Sequence, residues 1–255
     1  NDLLFFTDRG KVYQLKAHEV PDAGRTAKGL PLVNLISLEP GEQVTSILAV
    51  PDFDEAEYLI MATVRGKIKR TILKEYSQVR SNGLIAIGLE EGDLLGCVSM
   101  TQGDEDVLLT TRRGQTIRFR QDEVRSMGRP ASGVIGVNLS ADDRVVGMDL
   151  VQKTGALLVV TTNGFGKRTL LDEYPAKGRG TGGVITIKLR QGDTVAAAHV
   201  VHDTSLLTFI TTGGTVMRCP ADEISQLGRL TQGVTVLNVL KGEQVAALSV
   251  EEPDD

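Results

Sequence analysis

The sequence predicts an all-β protein of the propeller class, built from five four-stranded repeats. Three markers recur in register. An apolar strand runs into a Thr-rich turn and then a mixed strand, with an anchoring glycine at Gly10, Gly66, Gly114, Gly164 and Gly214. A second glycine opens an apolar strand at Gly29, Gly83, Gly133, Gly183 and Gly233. A polar turn closes each repeat as LEPGEQV, LEEGDLL, LSADDRV, LRQGDTV and VLKGEQV. Radial repetition of such units is typical of propeller blades.

Each repeat reads as four short strands because Val, Ile, Leu and Thr alternate with turn residues. In the fourth repeat we expect strands at 156–162, 165–173, 183–189 and 194–201. No helical period exceeds a turn or two. The whole chain, 1–255, is predicted to be one domain. Its repeats cover about 1–50, 57–101, 105–151, 155–202 and 204–250, with a surface loop at 51–57 and an acidic tail starting at 251–255.

Composition limits the functions that the chain could perform. Apolar residues make up 41% of 255 residues, which is enough for a sizeable core. The formal net charge of -5 excludes a uniformly basic nucleic-acid binder, but it leaves room for a locally basic surface. Trp is absent and aromatic residues make up 4%, so base stacking on aromatic side chains is a poor candidate mechanism.

The residue types that carry covalent or metal chemistry are sparse. Cys97 and Cys219 are far apart and in no metal or redox spacing, so we expect free, buried thiols in a reducing cytoplasm. His199 and His202 would face opposite sides of a strand, which argues against a metal site. No apolar run is long enough to cross a membrane, and no signal peptide opens the chain.

Basic residues recur at equivalent positions. The fourth residue after each anchoring glycine is Gln14, Arg70, Arg118, Arg168 or Arg218. Further cations occupy neighbouring positions and turns, at Arg65, Lys67, Lys69, Arg112, Arg113, Arg120 and Lys167. The loops that precede the second glycine add Arg25, Lys28, Arg80, Arg129, Lys177, Arg179 and Arg229. Together these residues predict a basic band suited to the phosphates of a duplex.

Two structural explanations of the same cations stay open. Basic residues on an exposed strand can prevent edge-to-edge pairing. Alternatively, each recurring Arg pairs with the acid five residues later, at Glu75, Glu123, Glu173 or Glu223. The Asp-Glu pairs at 122–123, 172–173 and 222–223 recur as well, which argues against an active site. Tyr76 and Tyr174 share a position with Val20, Val124 and Ile224, so we expect both tyrosines in the core.

The loop GRGTGG at 178–183 has the glycine content of a phosphate-binding loop, but similar loops occur in every repeat. A nucleotide site would not recur in this way, and the loop does not lead into a helix that could hold a phosphate. Its last glycine opens a strand, so we expect a turn that needs the conformational freedom of glycine.

The stretch NGFGKRTLLDEYPAKGRGTGGVITIK at 163–188 resembles the C-terminal domain of the A subunit of bacterial DNA gyrase. The stretches GLPLVNLISLEPGEQVTSILAV, MATVRGKIKRT and VRSMGRPASGVIGVNL extend the resemblance over essentially the whole chain. It implies a β-pinwheel, a six-bladed, propeller-like disc whose neighbouring blades exchange strands. Such domains wrap duplex DNA around the outer edge, without sequence specificity, for an ATP-dependent type II topoisomerase that introduces negative supercoils.

The resemblance also implies the domain's partners. It implies a non-catalytic, monomeric domain without its own cofactor or metal. This domain would be part of an A2B2 holoenzyme that uses ATP and magnesium and that is located at the nucleoid. The partners would be duplex DNA, the N-terminal part of the gyrase A subunit and the gyrase B subunit. This chain departs from the family in having five repeats and no QRRGGKG signature, to which GRTAKGL at 24–30 is the nearest match. Three alternatives stay open: the A subunit of topoisomerase IV, a propeller scaffold that binds proteins, and an enzyme with a site in the central channel.

Overall fold

A computed structural model describes residues 1–22, 29–54, 56–151 and 154–252. The described residues form antiparallel sheets joined by turns, and their only helices are six short 3-10 helices. None of these helices is long and apolar enough to cross a membrane. Contacts group the chain into two compact units. The first comprises 1–104 and 124–134, and the second comprises 105–123 and 135–255.

The first unit contains two sheets. Their strands are β1 (Asp2–Thr7), β2 (Lys11–Lys16), β3 (Val44–Val50), β4 (Tyr58–Thr63), β5 (Lys67–Ile72), β6 (Leu84–Ile85) and β7 (Leu95–Thr101). The first sheet has the order β3-β1-β2-β6. The second has the order β10-β5-β4-β7, where β10 (Val134–Ile135) begins at the last residue of this unit.

The second unit contains three sheets. Their strands are β8 (Asp106–Thr111), β9 (Gln115–Arg120), β11 (Val145–Val151), β12 (Ala156–Thr161), β13 (Phe165–Leu170), β14 (Val184–Ile185), β15 (Val195–Val201), β16 (Leu206–Thr211), β17 (Val216–Pro220), β18 (Val234–Thr235) and β19 (Val245–Glu251). The sheet orders are β11-β8-β9-β14, β15-β12-β13-β18 and β17-β16-β19. The predicted all-β class is confirmed. Four of the five sheets have the predicted four strands, and the last has three.

Neighbouring repeats exchange strands, as the resemblance implied. The short fourth strand of each four-stranded sheet comes from the repeat that follows in the chain. In the first sheet, Val12 of β2 pairs with Leu84 of β6. In the third sheet, Thr116 of β9 pairs with Val184 of β14. Within the described residues β17 receives no such strand, and Val216 at its open edge is 59% exposed.

The cores are rows of Leu, Ile, Val and aromatic side chains from the long strands. In the first unit, Phe6 packs edge-on against Tyr76 at 6.2 Å between ring centroids. In the second unit, Tyr174 is buried beside Leu157 and Val159. Both tyrosines therefore lie in the core, as predicted, whereas Val20 at the equivalent position is 41% exposed. Cys97 and Cys219 are half-buried, so the prediction that these cysteines are buried holds only in part.

The strands of the fourth repeat are shorter than predicted. The second strand ends at Leu170 rather than at residue 173, because Leu171–Glu173 forms a 3-10 helix. Leu171 is buried by this helix, and its N–H bonds to the carbonyl of Gly155. The third strand contracts to Val184–Ile185, because only Gln115 and Thr116 pair with it.

The second glycine marker has the predicted backbone requirement. Gly183 has a φ of 73°, in the left-handed region that disfavours side chains. A Cβ atom at this position would also lie 2.6 Å from the carbonyl oxygen of Thr116, on the strand that receives β14. The loop GRGTGG therefore ends in a turn that brings two backbones into close approach.

Candidate nucleic-acid interface

Two of the four recurring arginines of the mixed strands connect successive repeats through their side chains. Arg118 of β9 donates through Nε to Asp106 (2.8 Å) and through a terminal nitrogen to the carbonyl of Leu171 in the next repeat (3.2 Å). Arg168 of β13 makes the same connection, from Nε to the carbonyl of Ile224 (2.9 Å), and pairs with Asp203. Both guanidiniums thus bind carbonyls of the following 3-10 turn.

Gln14 shows that this position does not require a charge. Its side chain donates to Asp2 (2.6 Å) and accepts the N–H of Val79 in the second repeat (3.1 Å). Arg70 differs, because its guanidinium lies 4.5 Å from the ring centre of Tyr58. Arg218, beside the open edge of β17, pairs with Glu251 at 2.7 Å with both side chains about half exposed.

Lys69 and Lys167 do not lie on an exposed band, and the structure corrects this part of the prediction. Both are fully buried. Lys69 Nζ donates to the carbonyls of Ala86 (2.7 Å) and Arg129, and Lys167 Nζ donates to the carbonyl of Arg229 (2.8 Å). Burial lowers the pKa of each amine to about 8. These lysines, with Arg168 at 6% exposure, cannot reach a phosphate without unfolding the connection between repeats.

The loop arginines are also largely engaged. The main-chain N–H of Arg179 donates to Glu123 Oε2 (3.0 Å). Its guanidinium donates to the carbonyls of Glu123 (3.1 Å) and Ile135 (2.9 Å). Arg229 repeats this pattern with Glu173 and Ile185. The recurring Glu therefore pairs with an Arg of the next repeat. The alternative in which each recurring Arg pairs with the acid five residues later is wrong for Glu123 and Glu173, because both acids bond to the loop of the following repeat.

Other predicted cations remain accessible. Three exposed or half-buried ones have acceptors: Arg65 bonds the carbonyl of Glu91, Lys67 pairs with Glu90, and Arg120 pairs with Asp122. Four form no ion pair with any side chain that the structure describes: Arg80, Arg112, Arg113 and Lys177. Arg25 and Lys28 lie outside the described residues. Exposed cations that the sequence pattern did not single out include Arg125, Arg144, Lys188, Arg190 and Lys241, and also Arg9, Lys16 and Lys74, which form ion pairs.

The accessible cations of the described residues offer positive charge and hydrogen-bond donors. No cluster of three or more His, Cys, Asp or Glu in 1–22, 29–54, 56–151 and 154–252 could hold a metal ion. His199 Nδ1 lies 3.5 Å from Asp149 Oδ1. Burial by itself lowers the pKa of this imidazole, but the Asp149 carboxylate outweighs burial and the pKa is raised overall. Glu75, Glu123 and Glu173 contact loop arginines of the next repeat, which is the structural pairing that their repetition suggested.

Comparison with known proteins identifies the family. The family model described as "DNA gyrase C-terminal domain, beta-propeller" matches residues 1–51, 57–95, 105–152, 156–202 and 206–250. The chain is 44% identical over 131 residues to the A subunit of DNA gyrase from Clostridium acetobutylicum, a match that covers 51% of this chain and 16% of that protein. The chain thus spans only a small part of the curated relatives that it matches.

Solved structures agree with this assignment. The C-terminal domain of a DNA topoisomerase IV superposes with a TM-score of 0.90 at 26% identity, covering 98% of this chain and 79% of that one. A DNA gyrase A C-terminal domain superposes with a TM-score of 0.84 at 25% identity, covering 98% and 82%. With the family model matching most of the chain and the strand exchange visible in the sheets, this chain belongs to the DNA gyrase C-terminal domain, beta-propeller family.

Proposed function

We propose that this chain binds duplex DNA without sequence specificity and bends it, as the DNA-wrapping domain of a DNA gyrase A protein. The observation that carries this proposal is a set of accessible cations without acidic partners in a chain of net charge -5, within a gyrase domain family. Phosphate contacts of this kind supply affinity but no base readout. The described residues include no helix long enough to lie in a major groove, so sequence preference should come from DNA deformability.

The energetics of wrapping are compatible with a modest number of contacts. Bending a site of 20 to 30 base pairs by 40 to 90° costs on the order of 1 to 6 kcal/mol. Each neutralised phosphate releases condensed counterions, which offsets this cost most strongly at low salt. Accessible side chains such as Arg80, Arg113 and Lys177 can supply these contacts without breaking the connections between repeats.

In the proposed holoenzyme, this chain acts as a binding domain. We assign it no catalytic residue and no cofactor of its own. The N-terminal part of the gyrase A subunit and the gyrase B subunit would complete an A2B2 enzyme that uses ATP and magnesium, in the cytoplasm at the nucleoid. The curated relative is a gyrase A protein, which supports this setting.

The equivalent domain of topoisomerase IV is the second candidate, because a structure of that domain superposes with a TM-score of 0.90. The handedness of DNA wrapping distinguishes the gyrase domain from the topoisomerase IV domain. The chain is incubated with relaxed plasmid and a relaxing topoisomerase, and the topoisomers are then separated by electrophoresis. A gyrase domain should leave a one-signed shift in linking number that grows with protein concentration. Binding without such a shift would favour the topoisomerase IV assignment.

A binding titration tests the proposed function itself. Fluorescence anisotropy with two duplexes of unrelated sequence should give similar affinities, and both should weaken steeply between 50 and 200 mM salt. Replacing Arg80, Arg113 and Lys177 by Glu should weaken binding at least tenfold. The matched control replaces Arg65, Lys67 and Arg120, which already have acceptors, and should have a much smaller effect. Unchanged affinity in the first variant would contradict the proposal.

A further inference from the structure

One edge of the sheets carries a different charge in different repeats. We call this the turn edge; in each repeat it is formed by the anchoring-glycine turn and by the polar turn that closes the repeat. In the first unit it is neutralised, because Lys11 pairs with Glu39 and Lys67 pairs with Glu90. Arg9 adds a second ion pair to Glu39 at 3.2 Å. Three of the four cations of this edge in the first two repeats therefore have carboxylate partners, and the fourth, Arg65, bonds the backbone carbonyl of Glu91 (2.9 Å).

The third and fourth repeats replace these ion pairs. In the third, the equivalent positions hold Gln115 and Ser140. In the fourth they hold Phe165 and Arg190, and the Arg190 guanidinium lies 3.7 Å from the ring centre of Phe165. Such stacking orients a guanidinium and leaves its hydrogen-bond donors free for two oxygens of an anion.

Backbone contacts bring further cations to the same place in the second unit. Arg112 donates its N–H to the carbonyl of Arg144 (2.8 Å), and its own carbonyl accepts the N–H of Val195 (2.8 Å). Gly114 lies against Ile187 and Leu189, which flank Lys188. The residues whose chain segments these backbone contacts bring together, which we name the turn-edge patch, are Arg112, Arg113, Arg144, Lys188 and Arg190.

Few acids oppose this patch. Asp143 Oδ1 accepts the N–H groups of Arg113 (3.0 Å) and Arg144 (2.8 Å), so it caps the turns rather than neutralising a guanidinium. Asp142 is exposed beside it, and Asp193 is buried. No side chain in the described ranges forms a salt bridge with any of the five cations.

We propose that the turn-edge patch is the principal phosphate-binding surface of this chain, so that duplex DNA is held asymmetrically along the repeats. The inference rests on the proposed function, since it locates the contacts of that DNA. Arginine is suited to the role because its fork of donors matches two phosphate oxygens. The turn edge of the first two repeats contributes little, because Arg9, Lys11 and Lys67 would have to leave their carboxylates first and Arg65 would have to leave its backbone carbonyl.

Two variants with the same change in charge test the location. The patch variant replaces Arg113, Arg144 and Arg190 by Gln, and the control variant replaces Arg9, Lys11 and Lys67 by Gln. Circular dichroism checks the fold of each. We expect the patch variant to lose at least tenfold in duplex affinity at low salt, with a salt slope smaller by roughly 0.9 for each phosphate that it no longer neutralises. The control should lose no more than about threefold, as expected for a general field effect.

The outcomes separate the two proposals. If the wild-type chain fails to bind duplex DNA, the proposed function fails and this inference fails with it. If the wild type binds but both variants weaken equally, the function stands and the asymmetric location is wrong. Displacement of the DNA by an equally charged polyglutamate peptide as effectively as by unlabelled duplex would overturn the phosphate assignment.

A DNA-cleavage experiment locates the bound duplex independently of the affinity measurements. Lys188→Cys and Lys11→Cys are made in a Cys97→Ser, Cys219→Ser background and coupled to an iron chelate that cuts nearby DNA. We expect cutting from position 188 and little from position 11. Equal cutting from both positions would overturn the asymmetric arrangement, whatever the affinities show.

Discussion

At the scale of single residues, Gly183 separates two effects that usually occur together. Its φ of 73° disfavours any side chain, and a Cβ atom would also strike the Thr116 carbonyl oxygen. Gly192 has a similar φ of 76°, but a Cβ atom added there would meet no other atom within 4 Å. Comparing substitutions at Gly183 and Gly192 therefore separates the stability cost of the close backbone approach from the stability cost of the left-handed conformation.

We predict that Gly192→Ala costs about 1 kcal/mol of unfolding free energy, and that Gly183→Ala costs about 3 kcal/mol or more. Urea unfolding followed by circular dichroism measures both. Equal costs would mean that β14 moves away from Thr116 easily, and the close approach would then not constrain the exchanged strand.

The buried Lys167 makes stability depend on pH. Its pKa of about 8 lies below the ordinary value of 10.5, so the unfolded chain binds the proton more tightly than the folded one. Folding carries a penalty at pH 7 that is relieved as pH rises from about 8 to 10.5. We predict that the wild type gains stability relative to Lys167→Met over this window, measured by urea unfolding at pH 7 and 9.5. A relative loss would show that the carbonyls hold the charged amine favourably.

At the scale of elements, the connections between repeats depend on buried guanidiniums. Arg168 binds a carbonyl of the next 3-10 turn, whereas Arg218 at the equivalent position makes an exposed ion pair beside the open edge of β17. The same residue type thus has a structural role where an exchanged strand is present and a surface role where it is absent.

Alanine substitution should reveal this difference. We predict that Arg168→Ala lowers the unfolding free energy by about 3 kcal/mol, because buried acceptors lose a charged partner. Arg218→Ala should cost less than about 1 kcal/mol, as expected for an exposed pair. Thermal and urea unfolding of both variants measure the difference. Similar losses would argue against a special role for the buried connection.

At the scale of the whole molecule, net charge opposes the local basic surface. Acids concentrate in the last five residues of the sequence, and Glu252 is exposed. We predict that replacing Glu252, Asp254 and Asp255 by their amides tightens duplex binding a few-fold at 50 mM salt. The gain should vanish near 0.2 M salt, where charges beyond about 8 Å are screened. An unchanged affinity at low salt would show that these acids do not compete with DNA.

The repeat pattern predicted much of the fold, and the reason is local. Alternating Val, Ile and Thr define the long strands, and turns such as that at Gly183 demand glycine wherever they occur. Strand exchange followed from the resemblance alone, because a two-residue strand such as β14 has no local signal beyond its glycine. The site was harder to predict, since Lys67 and Lys69 share a strand face but Lys67 is half-buried whereas Lys69 is fully buried.

By itself, the sequence determined the all-β class, the core tyrosines and the family, because these depend on local periodicity and on residues close in the chain. Tertiary structure alone decided which cations face solvent. Arg168 and Lys167 lie under the loop of the next repeat, while Arg113, Arg144 and Arg190 come together through backbone contacts between two repeats. A charge becomes a binding site only when its neighbours leave it unpaired, and those neighbours lie far away in sequence.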